Sequence, residues 1–128
     1  MDSMMLAAEL VKYNDTFLIG STAFNVQTED SDIDICAYKY DLPKSLRVQI
    51  AKEGNKVDKS YNDSLILQHS TLYKFDELDV FIFSDITKLI VVKAVVDIMK
   101  TYPTIILKIK WVRVWIFRTL LKKHGFLI

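Results

Sequence analysis

The segment Phe17–Tyr38 reads FLIGSTAFNVQTEDSDIDICAY and carries the clearest structural pattern of the chain. It starts with a short apolar run that ends in Gly20-Ser21, crosses a polar stretch, and becomes apolar again around Asp32–Ile35. Short apolar runs bounded by glycine and polar turn residues are typical of strands. The segment therefore predicts a first strand, a short helix, a turn and a second strand that ends at Tyr38.

Both halves of this segment carry residues suited to binding a nucleotide. A glycine directly after an apolar run lets backbone N–H groups approach an anion closely, and the Ser21 hydroxyl adds a further hydrogen-bonding group. Because side chains alternate along a strand, Asp32 and Asp34 are expected on one face, where two carboxylates repel unless a cation lies between them. Phosphate-binding residues next to an acid pair predict one ligand, a nucleoside triphosphate (NTP) with Mg²⁺.

The same residues resemble the signature of the polymerase-β-like nucleotidyltransferases, and within them the minimal nucleotidyltransferases. That signature combines Gly-Ser, a spacer, and Asp-x-Asp between apolar residues, which correspond here to Gly20-Ser21, Ala23 and Asp32–Asp34. The family has a third carboxylate inside an apolar stretch on a later strand, and Asp79 in LDVFIF matches it. The resemblance covers roughly residues 10–100.

The resemblance implies a reaction and a role for each residue. A nucleoside monophosphate would move from an NTP to an acceptor hydroxyl, with release of pyrophosphate. Asp32 and Asp34 would hold the metals that bridge the triphosphate, and Asp79 would bind the metal that lowers the pKa of the hydroxyl and take its proton. Gly20 and Ser21 would bind the β- and γ-phosphates. The implied cofactor is Mg²⁺, as two ions, with Mn²⁺ as the alternative.

These residues also have simpler explanations. Asp32 and Asp34 follow a polar turn, where solvated acids are common. Asp79 also follows a turn, but it shares a strand face with Phe81 and Phe83, and a carboxylate beside an aromatic core needs a charge partner. Asp-x-Asp also marks the Mn²⁺ site of many sugar-nucleotide-dependent glycosyltransferases, which lack a Gly-Ser turn just upstream. The combined pattern favours a nucleotidyltransferase.

Composition predicts a single domain over residues 1–128, with its core at about 10–100 and a basic-aromatic C-terminal segment at 104–128. The chain has 17 basic and 16 acidic residues, but no acid follows Asp97. The C-terminal segment is therefore expected to present a cationic surface to phosphates or to an acidic partner. The basic residues that follow this last acid are Lys100, Lys108, Lys110, Arg113, Arg118, Lys122 and Lys123.

The C-terminal segment also supports other hypotheses. Trp111, Trp115 and Phe117 alternate with basic residues, a pattern that suits stacking on bases but more often forms a core or a dimer interface. The second hypothesis is an antitoxin-like or other partner-binding protein that retains the nucleotidyltransferase fold, either as a homodimer or with a protein partner. Phe24-Asn25 favours it, because many minimal members have Arg-Gly there. The third is an enzyme that modifies nucleic-acid ends.

Targeting features point to the cytoplasm. Cys36 is the only cysteine, which excludes an intramolecular disulfide and favours a reducing compartment. Residues 1–5 lack the basic start and apolar core of a secretory signal. The apolar stretch Ile105–Leu121 contains four basic residues, which are costly at a bilayer centre, so no membrane association is expected.

The expected fold class is α/β, or α+β in stricter naming: a small mixed, twisted sheet with helices packed mainly on one side. Helix caps and apolar periodicity place the remaining elements. They start with a helix capped by Asp2 or Ser3 that runs to about Tyr13 and a helix from Pro43 to about Lys52 ended by Gly54. Extended segments at 65–67 and 71–73, a turn at Asp76-Glu77 and a strand at 78–83 follow. The last elements are a helix at about 86–101 capped by Ser84 or Asp85 and a helical segment at 104–123.

Overall fold

The computed structural model describes residues 2–58 and 66–126, and its centre is a five-stranded mixed sheet. Strand β1 (Phe17–Ile19) pairs antiparallel with β2 (Ile33–Tyr38), which pairs parallel with β5 (Leu78–Phe83). On the other side of β5 lie β4 (Thr71–Phe75) and then β3 (Asn55–Lys56), both in antiparallel pairing. The order β1-β2-β5-β4-β3 places the two strands that carry predicted site acids next to each other.

Two of the helices begin at side-chain caps that the sequence contains. Asp2 Oδ1 accepts a hydrogen bond of 2.9 Å from the Met5 N–H, and Asp85 Oδ1 accepts one of 2.9 Å from the Thr87 N–H. These contacts satisfy N–H groups that the first turn of a helix leaves unpaired. The helices of the described residues are α1 (Ser3–Leu10), α2 (Gly20–Ala23), α3 (Lys44–Glu53), α4 (Ile86–Met99), α5 (Thr104–Leu107) and α6 (Lys110–Lys123).

Each face of the sheet carries its own apolar core. On one face, Cys36 and Phe83 pack against α4, α5 and α6. On the other, Ile35 and Val80 pack against α1 and α3. The predicted fold class is confirmed, but the helices divide between both faces, whereas the sequence analysis expected them mainly on one. The physical reason is that β2 and β5 are apolar on both faces, so both faces must be covered.

Several segments differ locally from the expected elements. Helix α1 ends at Leu10, three residues earlier than expected, and residues 66–68 form a 3₁₀ turn instead of extended chain. The rest of that expected extended segment, residue 65, lies outside the described residues. The C-terminal segment is helical as predicted, but it is divided between Lys108 and Lys110, where Ile109 has extended backbone angles. Among the described helices, none combines the length and apolarity that a membrane span requires.

Candidate active site

Two of the predicted site acids are direct neighbours across the central strand pair. Asp34 on β2 and Asp79 on β5 are register partners in the parallel ladder. The residues that follow them, Ile35 and Val80, lie in the core under α1 and α3, so alternation puts both carboxylates on the opposite face, the one covered by α4 and α6. Asp79 is only 9% exposed. The sheet therefore holds two carboxylates side by side in a largely desolvated position.

This arrangement changes the protonation of Asp34. Burial is the largest cause and raises the pKa of Asp34. The charge of Asp79, a hydrogen bond with Asp79 and the charge of Asp32 raise this pKa further, whereas the charge of Lys74 lowers it. The resulting pKa of Asp34 is about 7. Burial and then the Asp34 charge also raise the pKa of the Cys36 thiol well above its ordinary value. Cys36 is therefore protonated and inert, whereas Asp34 gains or loses a proton near neutral pH.

Gly20 lies where β1 ends beside Asp34. Its φ is +67°, in the left-handed region that favours glycine. A Cβ atom at this position would lie 3.4 Å from Asp34 Cγ and closer still to Oδ2. The sequence analysis explained this glycine by the approach of an anionic ligand, and the structure adds a steric reason, the approach of Asp34. Ser21 follows it and is buried, so the structure places the start of the Gly20-Ser21 turn directly against Asp34.

Lys74 is a charged neighbour of the acid pair that the sequence analysis did not identify. It is the register partner of Asp79 on β4, and its Nζ lies 3.2 Å from Oδ1 and donates a hydrogen bond of 3.2 Å to Oδ2. The sequence feature that could have identified Lys74 is the hairpin turn at Asp76-Glu77. A turn there pairs Phe75 with Leu78, and therefore Lys74 with Asp79. The ammonium group partly neutralises the pair.

One oxygen of this pair is not satisfied. Asp79 Oδ1 is buried and accepts no hydrogen bond within the part of the chain that the structure describes, although Lys74 Nζ is nearby. Buried carboxylate oxygens are normally hydrogen-bonded or bound to a cation, because desolvation without a partner is unfavourable. The oxygen therefore has the capacity to bind a further positively charged group.

Arg113 on α6 adds a second positive charge near Asp34. Burial lowers the pKa of its guanidinium group, and the charge of Asp34 opposes that effect. Its Nη1 donates a hydrogen bond of 2.8 Å to the Leu107 carbonyl, which fixes the side chain at the junction between α5 and α6. The sequence analysis treated Arg113 as one of many basic surface residues, since only the packing of α6 onto this face of the sheet brings it near the acids.

Asp32 is the third predicted acid of this region, and it is exposed just before the start of β2. Its charge is near enough to raise the pKa of Asp34. Within residues 2–58 and 66–126, no three His, Cys, Asp or Glu side chains are grouped as a metal site. The structure thus brings together Asp34, Asp79, Gly20 and Ser21, with Asp32 at the margin.

The chemistry of this pair fits a hard divalent cation. Mg²⁺ and Mn²⁺ prefer carboxylate oxygens, and Mg²⁺ is commonly held by one or two carboxylates together with substrate phosphates. Asp34 and Asp79 supply two adjacent carboxylates, one with an unsatisfied buried oxygen. Such a cation would take over the neutralising role that Lys74 performs in part.

No family model, no curated protein and no solved structure matches this chain.

Proposed function

We propose that this protein is a metal-dependent nucleotidyltransferase that moves a nucleoside monophosphate from an NTP to an acceptor hydroxyl. The observation that carries the proposal is the pair of adjacent, largely buried carboxylates of Asp34 and Asp79, one of which has an unsatisfied oxygen. A buried acid pair of this kind is unfavourable alone and becomes favourable with a divalent cation and the phosphates that accompany it. The resemblance of Gly20-Ser21 and Asp32–Asp34 to the nucleotidyltransferase signature supports the same reaction.

Asp34 and Asp79 are the proposed ligands of Mg²⁺, with Asp32 beside them as a ligand of a second ion and Mn²⁺ as an alternative to Mg²⁺. When bound, the metal supplies positive charge to the triphosphate and lowers the pKa of the acceptor hydroxyl. Because the pKa of Asp34 is about 7, binding a cation at neutral pH requires Asp34 to release its proton. Metal affinity should therefore rise with pH through this range.

The reaction requires one bond to form, one to break and one proton to move. The acceptor oxygen attacks the α-phosphorus, and the bond from that phosphorus to the oxygen shared with the β-phosphate breaks. Pyrophosphate leaves with the electron pair of that bond. The proton of the acceptor hydroxyl passes to a carboxylate oxygen of Asp79, whose buried Oδ1 accepts no other hydrogen bond in the described chain.

The proposed triphosphate contacts lie beside the acid pair. Gly20 and Ser21 stand at the end of β1, next to Asp34, and are the proposed contacts of the β- and γ-phosphates. Arg113 contributes positive charge from α6 on the same face of the sheet. These groups mainly position the substrate and stabilise its charge, which is how proteins catalyse phosphoryl and nucleotidyl transfer. We place the reaction in the cytoplasm, where NTPs and reduced thiols such as that of Cys36 occur together.

The test is calorimetric titration of each of the four NTPs into the protein with Mg²⁺ present. The proposal predicts binding that Asp34→Asn and Asp79→Asn each weaken by at least 100-fold. Asp30→Asn is the matched control, because Asp30 is an exposed acid in the turn before β2 and should leave the affinity unchanged. The proposal would be contradicted if the natural sequence bound no NTP, or if it and the three variants all bound NTPs equally well.

A second candidate function is partner binding through the C-terminal segment, as a homodimer or with an acidic protein. The observation that favours it is the exposure of Ile105, Trp111 and Trp115, which are 75%, 74% and 63% exposed. Large exposed aromatic residues are typical of interfaces, and the absence of acids after Asp97 favours a partner with negative charge. In this antitoxin-like alternative, the nucleotidyltransferase fold serves as a frame for binding.

Light scattering coupled to size-exclusion chromatography tests the homodimer. A dimer through this surface predicts a mass that rises from one chain to two with concentration, and a Trp111→Ser/Trp115→Ser variant that stays monomeric. Val11→Ser is the control, since Val11 is an exposed apolar residue elsewhere on the molecule. A monomer at every concentration would leave only a different protein as the partner.

A further inference from the structure

A cavity with several cationic lining residues lies on the face of the sheet opposite the acid pair. It has a volume of about 360 Å³ and opens between α3 and the strands β4 and β5. Alternation along β5 separates the two sites: Asp79 faces α4 and α6, whereas Ile82 packs into the core under α1 and α3 and lines the cavity. We call this cavity the basic pocket. Its polar lining residues are Lys39, Lys44, Arg47, Thr71, Tyr73 and Ser84.

The charged residues that line the basic pocket are all positive. Three of its lining side chains are cationic, and none of its described lining residues is an Asp or a Glu. Lys39 has a partial partner, the Tyr40 ring, whose centroid lies 5.5 Å from its Nζ. Arg47 Nε is buried and donates to no acceptor within the described residues. A buried guanidinium donor without an acceptor is unfavourable, so the pocket favours a ligand that brings acceptor oxygens and negative charge.

The remaining lining indicates the size and polarity of that ligand. The apolar lining residues are Val48, Ile50, Ala51 and Ile82. The volume of the pocket lies within the range of about 300–1,000 Å³ that is usual for small-molecule sites. A polymer backbone needs a continuous surface stripe of positive charge, whereas here the cations converge on one cavity. This lining suits a small molecule with an anionic end and an apolar body.

From this we infer that the basic pocket binds a small phosphate monoester, with the phosphate at Lys44 and Arg47 and the apolar group on Ile50 and Ile82. A phosphate monoester carries close to two negative charges at neutral pH and offers three acceptor oxygens, and a guanidinium group matches two of them in a planar fork. The hydroxyls of Thr71, Tyr73 and Ser84 are placed to supply further hydrogen bonds. The inference is independent of the reaction proposed for Asp34 and Asp79.

Phenyl phosphate is a suitable probe, because it joins a phosphate to an apolar ring of the right size. Titration into ¹⁵N-labelled protein should give saturable shifts of the amide resonances of Thr71, Tyr73 and Ser84. Arg47→Gln should raise the dissociation constant at least 10-fold, and Lys44→Gln should raise it several-fold. Lys44 is exposed, so its variant tests the pocket even if Arg47→Gln unfolds the protein.

Control ligands and control variants separate the recognition of phosphate from a general attraction of anions. Phenol and benzoate should bind at least 10-fold more weakly than phenyl phosphate, and Lys100→Gln, which removes an exposed cation at the end of α4, should have no effect. Asp34→Asn should retain the binding, because the acid pair lies on the other face. The inference is overturned if no saturable shift occurs in these residues, if benzoate binds equally well, or if Lys100→Gln weakens binding as much as Lys44→Gln.

Discussion

The acid pair and the C-terminal helices lie on the same side of the sheet but are built in opposite ways. Strand register holds the polar groups of Asp79 in a buried position and of Asp34 in a largely buried one, and Asp34 is near its protonation midpoint at neutral pH. On α6, Trp111 and Trp115 are apolar groups held in an exposed position. Each region is unfavourable for the isolated chain, since buried charge and exposed apolar surface both raise its free energy. The first region favours a charged ligand, and the second favours a partner that covers its exposed apolar side chains.

The sharpest test of the acid site is Gly20→Ala. It places a Cβ against Asp34 at a φ of +67°, so we expect the free energy of unfolding to fall by about 3–4 kcal/mol, from backbone strain and overpacking together. Urea denaturation measures this loss. Gly125→Ala is the matched control, because Gly125 also has a positive φ but, among the described residues, no atom lies within 4 Å of an added Cβ.

The control separates the two causes. Backbone strain alone predicts a loss of about 1 kcal/mol for Gly125→Ala. The double variant Gly20→Ala/Asp34→Ala should recover part of the loss of Gly20→Ala, because it removes the carboxylate that the new Cβ meets. If the two single variants lost equal free energy of unfolding and the double variant recovered none, glycine would be required at position 20 only for its positive φ.

Asp34→Asn tests the electrostatic cost of the pair. The pKa of Asp34 is raised from 3.8 to about 7, so between these values the folded state keeps a proton that the unfolded state has lost. Stability is therefore full below about pH 4 and falls as the pH rises to about 7. At 1.36 kcal/mol per pKa unit, and with the charge shared by Asp79, we expect Asp34→Asn to stabilise the protein by about 2–3 kcal/mol at pH 8.

The measurement is denaturation at pH 4 and pH 8 without divalent cations. The stabilising effect of Asp34→Asn should be small at pH 4 and largest at pH 8. Adding Mg²⁺ at pH 8 should stabilise the natural sequence and not the variant, because only the natural sequence gains a neutralising ligand. A gain that is the same at both pH values would reject the raised pKa as its cause.

Lys74→Met tests the internal cation of the pair. Lys74 Nζ lies 3.2 Å from both carboxylate oxygens of Asp79, but its side chain is half exposed, so its loss should destabilise the protein by no more than about 1 kcal/mol. The same change should tighten Mn²⁺ binding several-fold, because the ammonium group and the metal compete for one carboxylate. Lys56→Met, on β3, is the control, and calorimetry with Mn²⁺ is the measurement. Weaker Mn²⁺ binding in Lys74→Met would contradict the competition.

The sequence predicts local features of this molecule well and tertiary ones poorly. The caps at Asp2 and Asp85, the hairpin turn before β5 and the glycine that ends β1 depend on a few adjacent residues, so their chemistry is visible in the chain. Arg113 joins the acid site only because α6 packs on that face of the sheet. The basic pocket likewise depends on how α3 lies against β4, which no local pattern specifies.

The smallest effect is expected in the region that contrasts with the acid site. Trp111→Ser/Trp115→Ser should change the free energy of unfolding by no more than about 0.5 kcal/mol at low protein concentration, because both side chains are already largely in water. At high concentration a homodimer would make the natural sequence more stable than the variant, since binding of a partner stabilises the folded state. Thermal denaturation over a 100-fold range of concentration separates these cases. A large loss at the lowest concentration would instead mean that the two tryptophans support the fold of the single chain.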